Sequence, residues 1–143
     1  MKKSSAITVH QAKQVLELGF GEFKGNGYFY VEGKYPNRQY FFVPTCDEVI
    51  DWLRIKYNII IYNAVEPVVD PKDSHKILFR FAIKWCNKRD GWNGRVYIGT
   101  TRFASNIYSL KREAITKALC WLKKKTNETK KTKPTKSTKK QCG

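Results

Sequence analysis

The residues best equipped to do chemistry in this chain are cations set beside aromatic rings. Lys76, Arg80, Lys84 and Lys88 recur every fourth residue, so a strand from Lys76 to Lys88 would carry all of them on one face. Ile77, Phe79, Phe81, Ile83 and Trp85 alternate onto the other face, while Leu78, Ala82 and Cys86 interleave with the bases. Asp90, Gly91, Asn93 and Gly94 then signal a turn, after which a partner strand from Arg95 to about Thr101 sets Arg95 and Tyr97 alongside. Tyr28 and Tyr30, sharing one face of an earlier strand, are candidates to join that surface. Such a mixture suits nucleic acid. Cations meet phosphates, and rings stack on unpaired bases at about 1–3 kcal/mol per stack. The competing reading is that the tyrosines are strand formers and that Lys and Arg cover the wet side of a half-buried sheet.

Catalysis finds poorer material. Only His10 and His75 could shuttle protons near neutral pH, and neither sits in a catalytic motif. His75 lies close to Asp73 and Ser74, but neighbours in sequence on a loop read as a polar turn rather than a triad. Asp47, Glu48 and Asp51 are first-turn residues of a helix rather than a metal site, and Gly19, Gly21, Gly25 and Gly27 do not form a phosphate-cradling loop. The four cysteines, Cys46, Cys86, Cys120 and Cys142, include no C-x-x-C pair. Reduced thiols, with Cys46, Cys86 and Cys120 acting as small core hydrophobes, are expected. The reading is therefore non-enzymatic, with no cofactor, no metal and no small-molecule substrate.

The elements that would position these groups are legible in part. Thr8 with Gln11 forms a capping box for a peripheral helix from Val9 to Leu18, in which Ala12, Val15 and Leu16 make a narrow stripe and Gly19 a stop. Gly27 to Val43 reads as a hairpin turning near Gly33 to Asn37. Thr45 with Glu48 caps a second helix, whose Cys46, Val49, Ile50, Leu53 and Tyr57 share a stripe and which Asn58 ends. Ile59 to Tyr62 makes a short buried strand, followed by a loop carrying Pro67 and Pro71. Ser109 caps a last helix from Leu110 to about Lys125, with Ile115, Ala118, Leu119 and Leu122 as its docking stripe. The expected fold is α+β: an antiparallel sheet of about four or five strands, helices packed on one face, and one domain over residues 1–125.

Charge points to the partner. The chain holds 28 Lys and Arg against 12 Asp and Glu, a net +16, which attracts phosphate polymers at long range. Half of it, +8, falls between Lys123 and Gly143. Lys123, Lys124 and Lys125 suit a helix C-terminus, and residues 126–143 read as a disordered Lys-rich tail that adds salt-sensitive, sequence-independent binding. The partner expected is nucleic acid, RNA favoured, or a host ribonucleoprotein. The strongest apolar cluster, Ile59 to Tyr62, is far below the ~20 residues of a membrane span, and Ser4, Ser5, Thr8 and His10 break any secretory signal. A cytoplasmic location is expected.

Two family resemblances add to this. Ser109, Leu110, Lys111, Arg112, Glu113 and Ala114, then Ala118, Leu119 and Leu122 after a hairpin, resemble the end of a double-stranded-RNA-binding domain. That resemblance implies phosphate contacts from Lys111 and Arg112, although the helix between Thr45 and Tyr57 departs from that family's order. Taken whole, with its helices D-E-V-I-D-W-L-R-I-K-Y-N-I and E-A-I-T-K-A-L, the chain resembles small proteins from phages and mobile elements of Bacteroidota, anti-CRISPR inhibitors of host defence among them. This implies an accessory protein that blocks a host-defence nuclease by occupying a nucleic-acid path. A stand-alone RNA-binding regulator is the alternative, and a small nuclease or transferase the third class.

Overall fold

The computed structural model describes residues 5–20, 26–64, 66–86 and 95–130, and these form an α+β fold of three helices and seven antiparallel strands. Helix α1 (Val9–Glu17) starts at the expected capping box, with Thr8 Oγ1 accepting from the Gln11 amide and Gln11 Oε1 from the Thr8 amide, both at 3.0 Å. Strands β1 (Tyr28–Glu32) and β2 (Gln39–Val43) make the expected hairpin, in register Tyr28↔Val43 to Glu32↔Gln39. Gly33 turns it with φ +89°, a conformation that glycine adopts without a Cβ penalty. Helix α2 (Cys46–Tyr57) follows directly, capped by Thr45 and Glu48 and closed by Asn58 in the left-handed region.

The expected single sheet is divided into three. β1 and β2 stand alone; β3 (Ile59–Asn63), β6 (Phe81–Cys86) and β7 (Arg95–Thr100) form a sheet in the order β3-β6-β7; β4 (Val68–Asp70) and β5 (Asp73–Leu78) form a second hairpin. The segment read as a loop around Pro67 and Pro71 is thus largely strand, with Asp70 accepting from the Lys72 amide (2.9 Å) at its turn. The strand expected from Lys76 to Lys88 is likewise broken at Phe79 and Arg80. Pro67 has no amide to extend the ladder, and Phe79 instead exchanges both backbone hydrogen bonds with Ala104 (2.7 and 3.1 Å).

Helix α3 (Ile107–Lys130) starts three residues before the expected Leu110 and runs five past Lys125. Its first turn is capped by Asn106, whose Oδ1 accepts from the Ser109 amide (3.1 Å), so Ser109 lies inside the helix rather than at its cap. No glycine or proline interrupts residues 126–130, and Thr126 bonds back to the Leu122 carbonyl (2.9 Å). The remainder of the expected disordered tail, residues 131–143, lies outside the described residues.

The core joins all three helices to the inner faces of the β1–β2 and β3-β6-β7 sheets, while Val68, Val69 and Ile77 of the β4–β5 hairpin stay exposed. Val49 and Leu53 of α2, Leu110, Ala114, Ile115 and Ala118 of α3, and Ile59 and Ile83 are fully buried. Ala12 and Val15 of α1 are buried with them, while Leu16 is exposed, so α1 is less peripheral than its stripe implied. Its third buried residue is polar. Gln11 Nε2 donates to the Arg112 carbonyl and to Thr116 Oγ1, both at 2.7 Å, so one side chain caps α1 and pins it to α3. Gln11→Ala is expected to cost about 2 kcal/mol, since a cap is lost and buried polar groups lose their partner; urea unfolding measures it. Cys46 and Cys86 are free thiols, but Cys120 is disulfide-bonded, contrary to the expectation of reduced thiols throughout. No described helix is long and apolar enough to cross a membrane.

Candidate nucleic-acid interface

Ile59, Ile61, Phe81, Ile83 and Trp85 turn toward the core, which sends Ile60 and Tyr62 of β3 and Ala82, Lys84 and Cys86 of β6 to the outer face. The register sets Lys84 between Ile60 and Tyr97, and Cys86 beside Arg95. A bulge decides which residue of β7 meets Lys84. Ile83 pairs with Gly99, so a regular ladder would put Ile98 opposite Lys84; the register instead jumps to Tyr97. Ile98 thereby packs against the core, and the phenol stands on the outer face, 58% exposed.

Lys84 consequently sits between two tyrosines. Its ammonium lies 5.4 Å from the Tyr62 ring centroid, and Tyr97 stands across the other ladder. Further cations gather at the end of the sheet where β6 leaves and β7 enters. Arg95 is exposed there, and Trp85 and Trp121, in contact with centroids 5.6 Å apart and planes inclined at 40°, join the later turns of α3 to β6. Lys123, Lys124 and Lys125 are exposed on those turns, with Lys125 lying over Trp121. At the same end Arg54, Ile55, Asn58, Ile60 and Cys86 line an open depression of about 420 Å³.

The sequence-predicted residues scatter more widely. Lys84, Arg95 and Tyr97 come together as expected. Arg80 holds the opposite end of the sheet, donating to the Thr101 carbonyl (3.1 Å) and Thr100 Oγ1 (2.7 Å) with its guanidinium over Phe103. Lys76 belongs to the β4–β5 hairpin, and Lys88 lies outside the described residues. Tyr28 packs against the core and Tyr30 stays on the separate β1–β2 hairpin, so neither adjoins Lys84 through a ladder. At the start of α3, Lys111 pairs with Asp47 (2.7 Å) and Arg112 donates to the Ala6 carbonyl (3.0 Å), contacts that hold the helix to the rest of the fold. His75 meets Asp73 only through its own amide (3.0 Å), a local turn contact.

Tyr62, Ile60, Arg54 and Asn58 were missed. Alternation along β3 carries the signal for the first two, since Ile59 and Ile61 face in. Comparison with protein-family models, curated proteins and solved structures returned no match. Among the described residues, no three His, Cys, Asp or Glu side chains converge as a metal site. Burial pushes the Cys46 thiol from its ordinary 9.0 up to about 11, so it stays protonated and inert at neutral pH. This thiol leaves folding stability independent of pH well below 9.0, and stability falls as pH rises from 9.0 toward 11, because the unfolded chain ionises first.

Proposed function

We propose that this chain binds an unpaired nucleic-acid strand, RNA by preference, on the outer face of the β3-β6-β7 sheet, and that it acts without catalysing a reaction. The observation that carries the reading is Lys84 flanked by Tyr62 and Tyr97 on the outer face, where Tyr97 is exposed and Lys84 and Tyr62 are half-buried. A phosphate can neutralise the ammonium while bases stack on the two rings, and the lysines of α3 extend the positive field past the sheet end. An A-form duplex presents no bases for such stacking, so single strands are the better fit.

Binding of this kind would block whatever else needs the strand. With the resemblance to phage and mobile-element proteins, it supports an accessory protein acting in a bacterial cytoplasm, which occupies the nucleic-acid path of a host-defence ribonucleoprotein. The test is fluorescence anisotropy with purified single-stranded and duplex RNA at low salt, beside pulldown from host lysate with and without nuclease. Direct retention of single strands supports the strand-binding face. Recovery of neither nucleic acid nor a nucleic-acid-handling complex overturns the function.

Residues 131–143 contain Lys131, Lys133, Lys136, Lys139 and Lys140. A chain ending at Lys130 is expected to show a log–log salt slope shallower by up to about 3.5, with its preference among sequences unchanged. Affinity measured between low and physiological salt for both chains checks this.

A further inference from the structure

The depression beside Lys84 has a composition that the stacking face does not require. Ile55 and Ile60 are 68% and 37% exposed, giving it an apolar wall. Arg54 and Asn58 supply its polar groups, and these two side-chain types grip purines bidentately: Arg at O6 and N7 of guanine, Asn at N6 and N7 of adenine. A pyrimidine has no N7. Asn58 is fixed at φ 58° and ψ 30°, its amide donating to the Arg54 carbonyl (3.2 Å) and its own carbonyl accepting from the Cys86 amide (2.9 Å). The backbone thus ties α2 to β6 before any ligand arrives, while the exposed Arg54 guanidinium makes, among the described residues, a long 3.8 Å contact with Asp51.

The site is continuous with the stacking face. Ile60 pairs with Lys84, and Cys86 follows Lys84 on the same face at about 7 Å, two strand residues. A volume of about 420 Å³ lies within the range of small-ligand sites. We propose that this depression receives one purine base of the bound strand, with Ile55 and Ile60 against the ring and Arg54 and Asn58 at its edge. The inference rests on the strand-binding reading and deepens it by making purine sequence the quantity that is read.

Cys86 reports on occupancy, because its free thiol is part of the lining, whereas Cys46 is fully buried. Iodoacetamide labelling of the full chain, resolved by peptide mass spectrometry, is followed alone and with saturating oligoadenylate or oligouridylate of about 12 nucleotides. Oligoadenylate is expected to slow Cys86 labelling by about 5-fold or more and oligouridylate by less than about 2-fold. Asn58→Gly, which retains the left-handed cap, should erase most of that difference. Equal protection by both would overturn the purine site while leaving strand binding intact, whereas oligoadenylate bound by anisotropy with the labelling rate unchanged would overturn the purine site and the placement of the strand on this face. Failure of both oligonucleotides to bind would overturn the site together with the reading beneath it.

Discussion

A chain carrying Lys84→Glu and Tyr97→Ala together is expected to bind single-stranded RNA about 100-fold more weakly than the parent, with its melting temperature within a few degrees. The loss is the sum of a stack, about 1–3 kcal/mol, and the exchange of a phosphate-binding cation for a like-charge repulsion. About 2.7 kcal/mol corresponds to the 100-fold change. Stability should hold because Tyr97 stands on the solvent side of the bulge and the core behind it, Ile83 with Ile98 and Trp85, is untouched. Anisotropy titration and thermal unfolding give both quantities. A loss below about 5-fold would mean that the strand binds elsewhere.

Gly27→Ala should have the largest effect on stability, about 3 kcal/mol, with no specific effect on binding once the folded fraction is equal. A methyl at Gly27 would fall well inside contact distance of the Val43 carbonyl oxygen and of the Phe42 ring. Backbone cannot yield there, because Val43 is fully buried and pairs with Tyr28 at the base of the hairpin. Close approach alone is the cause; Gly33, by contrast, is needed for its positive φ. The urea midpoint measures the cost. A loss under about 1 kcal/mol would show that the hairpin can re-seat around the methyl.

Elements whose signals are local were readable from sequence. The capping boxes at Thr8 and Thr45, the left-handed stop at Gly19, the end of α2 at Asn58 and the stripe of α2 stand as expected, because each depends on residues within a few positions. The α+β class followed from them. Choices settled between distant segments were not readable. Nothing near Phe79 announces that it will pair with Ala104, so the run of alternating residues looked like one strand and grouped Lys76 and Arg80 with Lys84. The charge pattern was equally silent about Arg80, Lys111 and Arg112, whose partners Thr101, Asp47 and Ala6 lie 21, 64 and 106 residues away. A cation count gives the field of a protein, but only tertiary contacts decide which cations face outward.

Tyr97 is the instructive case. Its place beside Lys84 depends on a one-residue slip in the β6–β7 register, which alternation cannot foresee. Tyr62 reads from the sequence as part of a short buried strand, and only the pairing of β3 with β6 brings its ring to the ammonium. The candidate surface therefore uses three strands brought together by folding, although Lys84, Arg95 and Tyr97 were each visible beforehand.

Photocrosslinking a thiouridine-substituted single-stranded RNA to the full-length chain, with adducts mapped by peptide mass spectrometry, addresses the sheet face most directly. Adducts concentrated on the peptides that carry Tyr62 and Tyr97 are the expected result. Adducts confined to residues 131–143 or to the β1–β2 hairpin, or none at low salt, would contradict it.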